Sequence, residues 1–522
     1  MVASKSIAVI GAGASGLTAI KQCVENGLSV TCFEKTDYFG GLWRYHEDDV
    51  DDVASVTKTT IINTSKELSA FSDFPPPDDF PNFMHNRLML KYFELYAEKF
   101  NLNDYIKYNH EVVSICLAND HEQTGRWLVK YKDDQGDQKE DIFDGVMVCT
   151  GHHATTYEPK FPGQEKFKGK IIHSHSFKNA EKYLDQKVVV IGVGNSGLDI
   201  ATELGRIASQ VYLSTRRGTW VVNRTFIKGL PYDFCVNSRV INIIAAFAGR
   251  PLNYMMETLA EFYFDHEAYG LKPAHRFNGQ HPAVQDELAN SIMSGRIKVR
   301  KNIKTFTENG VIFEGSDEEV ECDTVIMATG YKIGFPFIDP SIVDIVDNRV
   351  ELFKNVFNPR LNHPHTLAFI GLIQPLGAIF PISEMQSRWF AGLMTGQCKL
   401  PSKDKMLSTI KSDNDARDSL FYQSLRNTIE VHWIPYMDEI ASFIGVKPNL
   451  TKLAFTDPSL WYNCLFKPCA SYQYRLNGPN SWTGARQAII DLDKRLYAPL
   501  SLTQSSDKNI FSEKNKNEMF YK

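Results

Sequence analysis

The chain has 522 residues, 43% hydrophobic and 23% charged, with a formal net charge of −5. That length allows about three domains with ample core, and the mild acidity excludes nucleic acid or an anionic surface as the main partner. Nine scattered cysteines without a C-x-x-C pair point to a reducing compartment, and away from a disulfide framework, a zinc site or a dithiol redox centre.

The opening run Ile7 to Ile10 is wholly apolar, the pattern of a strand buried on both faces of a parallel sheet. It starts almost at once, so no cleavable signal peptide is expected, and no stretch approaches the roughly 18–20 apolar residues of a membrane span. Gly11, Ala12, Gly13, Ala14, Ser15 and Gly16 follow as G-x-G-x-x-G, and the next residues read as a helix. The first glycine permits the tight turn, the second lets backbone approach a pyrophosphate, and the third lets the helix pack on the strand. The helix N-terminus then offers N–H groups to phosphate. A second strand, LSVTCFE, ends in Glu34, where an acid binds a ribose hydroxyl.

Tyr38 to Tyr45, YFGGLWRY, reads either as a loop pressing backbone and ring on a ligand or as a glycine turn with a core Trp. Thr57 to Pro81 is polar and then proline-rich, so neither helix nor strand is expected, and an aromatic-rich loop of this length is usually functional. Helical spacing returns over Met84 to Phe100. A strand pair is expected around Glu111 to Tyr131, then a buried strand at Val146 to Val148 ending in Thr150-Gly151. Val325 to Met327 followed by Thr329-Gly330 repeats that segment, and the two resemble crossings into and out of an inserted domain.

Between them a second unit begins with the strand Lys187 to Ile191. Gly192, Gly194, Asn195, Ser196, Gly197 and Leu198 form the second glycine loop and helix start, with Asp199 next. Asp199 sits where an acid is favourable in a helix's first turn even without a ligand. Glu34 and Thr215 each lie 23 residues beyond the first glycine of their motif. Where the first unit has an acid, the second has Ser214, Thr215, Arg216 and Arg217. A carboxylate there would repel a 2′-phosphate, whereas hydroxyls and a guanidinium bind it. The first site therefore suits a dinucleotide with free ribose hydroxyls and the second suits NADPH, although an arginine at a strand end can also be only a solvated charge. Residues 218–294 read as a helical insertion, either a roof over the substrate site or an ordinary cover for the core. Leu367 to Glu384 reads as a strand, a Gln-Pro-Leu-Gly turn and a helix start. His152-His153 and His173/His175 lack a third ligand and read as structural rather than metal-binding.

Phe167 to Phe177, FKGKIIHSHSF, is F-x-G-x-x-x-H-x-x-x-[YF] and lies just before the second glycine loop. With GAGASGL, FGGLWRY, the N-x-x-K-E segment at Asn63, LSTRRG, ATGY and FIGLIQPLGAIFPISEMQ, it resembles the flavin-containing monooxygenases of animals over nearly all of the first 500 residues. The resemblance implies an α/β fold of two Rossmann-like domains, one for FAD and one for NADPH, the second inserted in the first. The boundaries expected are 1–153 and 331–445 for FAD, 154–330 for NADPH, and 446–522 for a C-terminal region with a polar, disordered tail. It implies that NADPH reduces the flavin, that O2 gives a C4a-hydroperoxide, and that a soft nucleophile, an amine or a sulfide, takes one oxygen.

By the same resemblance Asn63 lies beside the reacting flavin; without it, Asn63 reads as a turn cap. Leu42, Trp43, Ile62 and Gln374 join the cofactor site. No metal is implied. Phe177 stands where relatives that oxidise ketones carry Trp and so speaks against Baeyer–Villiger chemistry, but some animal members of the family accept ketones, so it remains the alternative, along with an NADPH oxidase that releases hydrogen peroxide. Relatives often end in a hydrophobic anchor, whereas this tail is polar. The expected location is the cytoplasm or the cytoplasmic face of the endoplasmic reticulum, with peripheral membrane association and homo-oligomerisation left open.

Overall fold

The computed structural model describes residues 4–501 except 51, 55, 423 and 425. Its frame is two five-stranded sheets, each wholly parallel. The first runs Leu367–Phe369, Gly145–Val148, Ser6–Ile10, Ser29–Phe33, Ile106–Lys107. The second runs Ile297–Arg300, Gln210–Ser214, Lys187–Ile191, Thr324–Met327, Lys170–His173.

The continuous apolar runs have a physical reason, because both faces of each sheet are covered. In the first, Ile7 and Val9 pack with Leu17, Ile20 and Trp389 on the helical side, while Ala8 and Ile10 pack with Trp127 and Val129 on the other. In the second, Val188 and Val190 meet Leu198, and Val189 and Ile191 meet Phe306 and Phe313. The covering layer opposite the helices is a three-stranded antiparallel sheet in both cases, Glu111–Leu117, Trp127–Lys132, Gln138–Phe143 and Ile303–Phe306, Gly310–Phe313, Glu319–Glu321. The expected pair near Glu111 is thus three strands, since Gln138–Phe143 is mostly exposed and carries little apolar signal.

The chain leaves the first sheet after Val148 and rejoins it at Leu367. On the way out and back, Thr155–Thr156 and Tyr331–Lys332 pair as a short antiparallel ribbon. The helices Arg239–Phe247 and Gly249–Tyr263 lie between neighbouring strands of the second sheet and leave Phe247 88% and Phe262 82% exposed. Gln374–Leu376 is a strand paired with Glu430–His432, where the sequence suggests a turn; the turn falls at Gly377, φ +143°, before the buried helix Ile379–Met394. Helical spacing from Met84 resolves as Asn86–Lys99, capped by His85, whose side chain accepts from Arg87 N–H. The polar tail lies outside the described residues.

A buried ion network docks the C-terminal segment. Arg475 donates to Glu384 (2.9 Å), Ser72 Oγ (2.7 Å) and the Asn480 carbonyl (2.6 Å), and it pairs with Asp73 at 3.1 Å. No described helix is long and apolar enough to cross a membrane.

Candidate functional site

Both glycine loops have the same construction. Gly11 and Gly192 hold positive φ (+95° and +113°), and a Cβ on Gly16 or Gly197 would lie 1.9 or 2.1 Å from the Gly11 or Gly192 carbonyl oxygen. Only glycine serves at these turns. The helices that follow, Ala14–Glu25 and Asn195–Leu204, have no side-chain cap and no acid in the first turn. Their leading N–H groups are left for an anion, and a dinucleotide pyrophosphate fits them. Ala12 and Leu198 are buried in the core, and their N–H groups donate to Glu34 and to the Gly194 carbonyl, so they shape the loops rather than bind a ligand directly.

At the first loop, Glu34 Oε2 accepts from Ala12 N–H (2.7 Å) and Oε1 accepts from Thr36 N–H (3.0 Å) and Oγ1–H (2.8 Å). The acid is thereby fixed at the strand end with one of its about four lone pairs to spare for a ribose hydroxyl. Gly40 N–H donates to the Ala12 carbonyl (3.0 Å), which folds the Gly41–Trp43 turn over the glycines. Leu42 and Trp43 are half-buried there, and Trp43 packs edge-on to Phe380 at 6.0 Å. Gln374 lies on the paired strand, its N–H donating to the Ile429 carbonyl at 2.9 Å. Ser15 Oγ bonds Ser383 Oγ at 3.1 Å.

Asn63 is pinned from several sides. Ile62 N–H donates to Met84 O (2.9 Å), and Ser65 N–H and Oγ–H donate to Asp233 of the insertion (2.7 and 2.9 Å). Burial pushes the Asp233 carboxyl up to about 6. Lys66 donates to the carbonyls of Asp78 and Phe80 (2.8 Å each), shaping the proline-rich loop, and burial lowers its ammonium to about 8. Arg224 Nη2 donates to Asn63 Oδ1 at 2.9 Å, and Asp286 holds Arg224 at 2.7 Å. A guanidinium only donates, so Oδ1 must face it and the amide N–H2 faces away. Among the described residues that N–H2 has no hydrogen-bond partner.

At the second loop Arg216 and Arg217 are exposed. Thr215 Oγ1 accepts from Gly218 N–H (2.9 Å) and closes the turn that carries them. Ser214 is different from the expectation: it is buried, and its hydroxyl donates to the Lys301 carbonyl (3.0 Å), tying one strand to the next. Asp199 is the fifth residue of its helix, beyond the first turn, and Gln285 Nε2 donates to it at 2.7 Å. Burial pushes its carboxyl up to about 6, against the pull of Arg224. Ser196 is exposed at the helix start, and Asn195 Oδ1 accepts from Val284 N–H (2.9 Å).

The F-x-G-x-x-x-H-x-x-x-F motif forms the seam between the two units. Its strand edges the second sheet, His175 pairs with Asp49 at 2.9 Å, and Lys178 O accepts from Lys58 N–H at 2.8 Å. Phe177 is buried and stacks on Tyr183 at 5.4 Å. Among the described residues no group of three His, Cys, Asp or Glu side chains is arranged to hold a metal.

A family model described as flavin-binding monooxygenase-like matches residues 4–520. The chain belongs to this family. It is 49% identical to flavin-containing monooxygenase 5 of Rattus norvegicus, over 96% of this chain and 94% of that protein. It is 44% identical to dimethylaniline monooxygenase [N-oxide-forming] 2 of the same species, over 95% and 93%. Among solved structures, the S-allyl-L-cysteine S-oxygenase of Allium sativum shares the fold with TM-score 0.66 and 24% identity, over 95% of this chain and 99% of that one. Cyclohexanone monooxygenase of Rhodococcus, solved with NADP+, does so with TM-score 0.61 and 17% identity, over 85% and 98%.

This flavin-binding monooxygenase is therefore an oxidoreductase whose two mononucleotide-type sheets are those of its fold relatives. Sequence reasoning missed Arg224, Gln285 and Asp286, which lie in the insertion and belong to no motif. Their one sequence signal is a cation followed 62 residues later by an acid, which is no signal at all until the insertion folds back.

Proposed function

We propose that this monooxygenase binds FAD at the Gly11–Gly16 loop and NADPH at the Gly192–Gly197 loop and uses O2 to oxygenate soft nucleophiles, the nitrogen of amines or the sulfur of sulfides. The names of its relatives support nitrogen and sulfur as acceptors, and the absence of an acid at the second strand end supports NADPH over NADH. The observation that carries the reading is Asn63, whose N–H2 is turned away from Arg224 and has no hydrogen-bond partner among the described residues.

A flavin held at the Gly11–Gly16 loop by Glu34 and the Gly40–Trp43 turn would supply the redox chemistry, carrying electrons from NADPH to O2 and one oxygen to the nucleophile. The protein supplies orientation. Glu34 holds the adenosine ribose through its remaining lone pair. The Gly40–Trp43 turn covers the pyrophosphate and sheds water from the site. Asn63 donates a neutral hydrogen bond without a proton to lose, so it steadies an oxygenated centre without discharging it. Arg216 takes the 2′-phosphate.

The test is rapid mixing of the NADPH-reduced protein with oxygenated buffer, alone and with a tertiary amine or a sulfide. The expected result is a persistent near-ultraviolet flavin absorbance that decays faster with the nucleophile, giving N- or S-oxide. Immediate reoxidation with full release of hydrogen peroxide would show an oxidase instead.

A further inference from the structure

Arg426 belongs to the first unit by its chain position, four residues before Glu430–His432, which pairs with Gln374–Leu376. Its side chain nevertheless lies over the second unit's nucleotide loop. Nη2 donates to the Ala328 carbonyl at 3.2 Å, and Ala328 follows the second-sheet strand Thr324–Met327. A Cβ placed on Gly194 would stand 3.5 Å from Nη1, and one on Gly330 3.1 Å from Nε. Gly194 is the glycine at which backbone approaches a pyrophosphate.

Arg426 is solvent-exposed within this cleft, yet protein crowds it; that desolvation first, and then the charge of Arg216, hold its guanidinium below its ordinary value. Among the described residues Arg426 bonds a carbonyl, and no carboxylate is paired with it or with Arg216. A guanidinium set beside Gly194 at uncapped helix N–H groups, within electrostatic reach of Arg216 and with no carboxylate partner among the described residues, forms a site that is incomplete until an anion arrives. The same segment touches the second unit again at Tyr422, whose ring lies 4.3 Å from the Arg217 guanidinium and whose N–H donates to the Gly279 carbonyl at 2.7 Å.

We propose that Arg426 is a dinucleotide-binding residue reaching across from the flavin unit, and that it clamps the pyrophosphate of the nicotinamide cofactor against the Gly192–Gly197 loop while Arg216 takes the 2′-phosphate. This rests on the NADPH reading above. Because the pyrophosphate is common to all nicotinamide dinucleotides, Arg426 sets affinity without choosing between NADP+ and NAD+, and Arg216 makes the choice. The clamp also ties Arg426, and with it the strand Glu430–His432, to the loop whenever the dinucleotide is bound, in either oxidation state.

The experiment is equilibrium titration of the purified, oxidised flavoprotein with NADP+, NAD+ and 2′,5′-ADP, which has the 2′-phosphate but no pyrophosphate, read by calorimetry or by flavin absorbance. Arg426→Ala is expected to weaken NADP+ and NAD+ alike, by about ten- to a hundredfold, and to change 2′,5′-ADP much less. Arg426→Lys should recover part of the loss. Arg426→Gln serves if the alanine variant loses its flavin. Unchanged dissociation constants, or a loss confined to NADP+ and 2′,5′-ADP, would overturn the clamp. Failure of the unaltered protein to bind NADP+ would instead overturn the NADPH reading.

Discussion

Arg224 Nη2 donates to Asn63 Oδ1 at 2.9 Å across 161 residues of chain, so a loop of the insertion decides which way the Asn63 amide points. Asp286 holds the guanidinium in turn, accepting from both Arg224 N–H (2.8 Å) and Nη1 (2.7 Å). The relay fixes the Asn63 amide with Oδ1 toward Arg224 and its donor N–H2 away from it.

Arg224→Leu should therefore keep its flavin but lose control of the amide. Loss of a charge-assisted bond costs about 1.5–3 kcal/mol, or roughly ten- to a hundredfold in an equilibrium. Expected is a higher ratio of hydrogen peroxide released to NADPH consumed, with FAD content unchanged. Peroxide assay beside NADPH consumption measures it, and an unchanged ratio would remove Arg224 from the site.

Asn63→Asp replaces the neutral amide with a carboxylate facing Arg224 at hydrogen-bond distance. The new ion pair removes the N–H2 donor and, if Asn63 faces the flavin as proposed, places negative charge beside the reacting centre. FAD should still bind, and reoxidation of the reduced protein should become fast and release peroxide. Stopped-flow absorbance with a normal, slowly decaying species would contradict this role.

Arg216→Ala should weaken NADPH selectively, by about ten- to a hundredfold, leaving NADH affected little. The basis is an exposed guanidinium at the strand end, where the first unit has Glu34. The ratio of kcat/KM for the two dinucleotides is the readout, and an unchanged preference would assign Arg216 to solvent.

Asp199 titrates near 6 because burial disfavours its charged form. An acid whose folded pKa is raised binds its proton more tightly folded than unfolded, so it costs stability once pH rises past its unfolded value, and the full cost is reached above about 6. Asp199→Asn, which can still accept from Gln285, should raise stability at pH 7.5 by about 1–3 kcal/mol and give no gain near pH 4. Thermal melts without dinucleotide across that range measure it. A gain that does not vary with pH would mean that the charge is already well solvated.

Arg475→Met leaves Glu384 buried without its cation, while Asp73 keeps Lys21 at 2.6 Å, a loss of about 3–5 kcal/mol for a broken buried ion pair. Flavin content and melting temperature should fall together, because Ser72 and Glu384 also brace the helix and loop around the first sheet. A melting curve like that of the unaltered protein would show the network to be dispensable.

Local sequence determined both nucleotide units. Gly11, Gly16, Gly192 and Gly197 are read from spacing because the turn, the strand and the helix they join are contiguous, and Glu34 and Arg216 follow because each lies one helix and one strand further on. Even there, side-chain direction was a tertiary matter. Ser214 and Leu198 occupy motif positions, yet one is tied to the neighbouring strand and the other packs in the core. Gln374–Leu376 reads as a turn until Glu430–His432 arrives to pair with it. Only the folded chain could bring Arg224 and Asp286 to Asn63, or Arg426 to Gly194, since those partners sit in loops without periodicity and their meeting depends on how two units pack. The βαβ units are legible because their chemistry is local. The cleft between them is not, because its polar contacts are set by long-range packing that leaves no pattern along the chain.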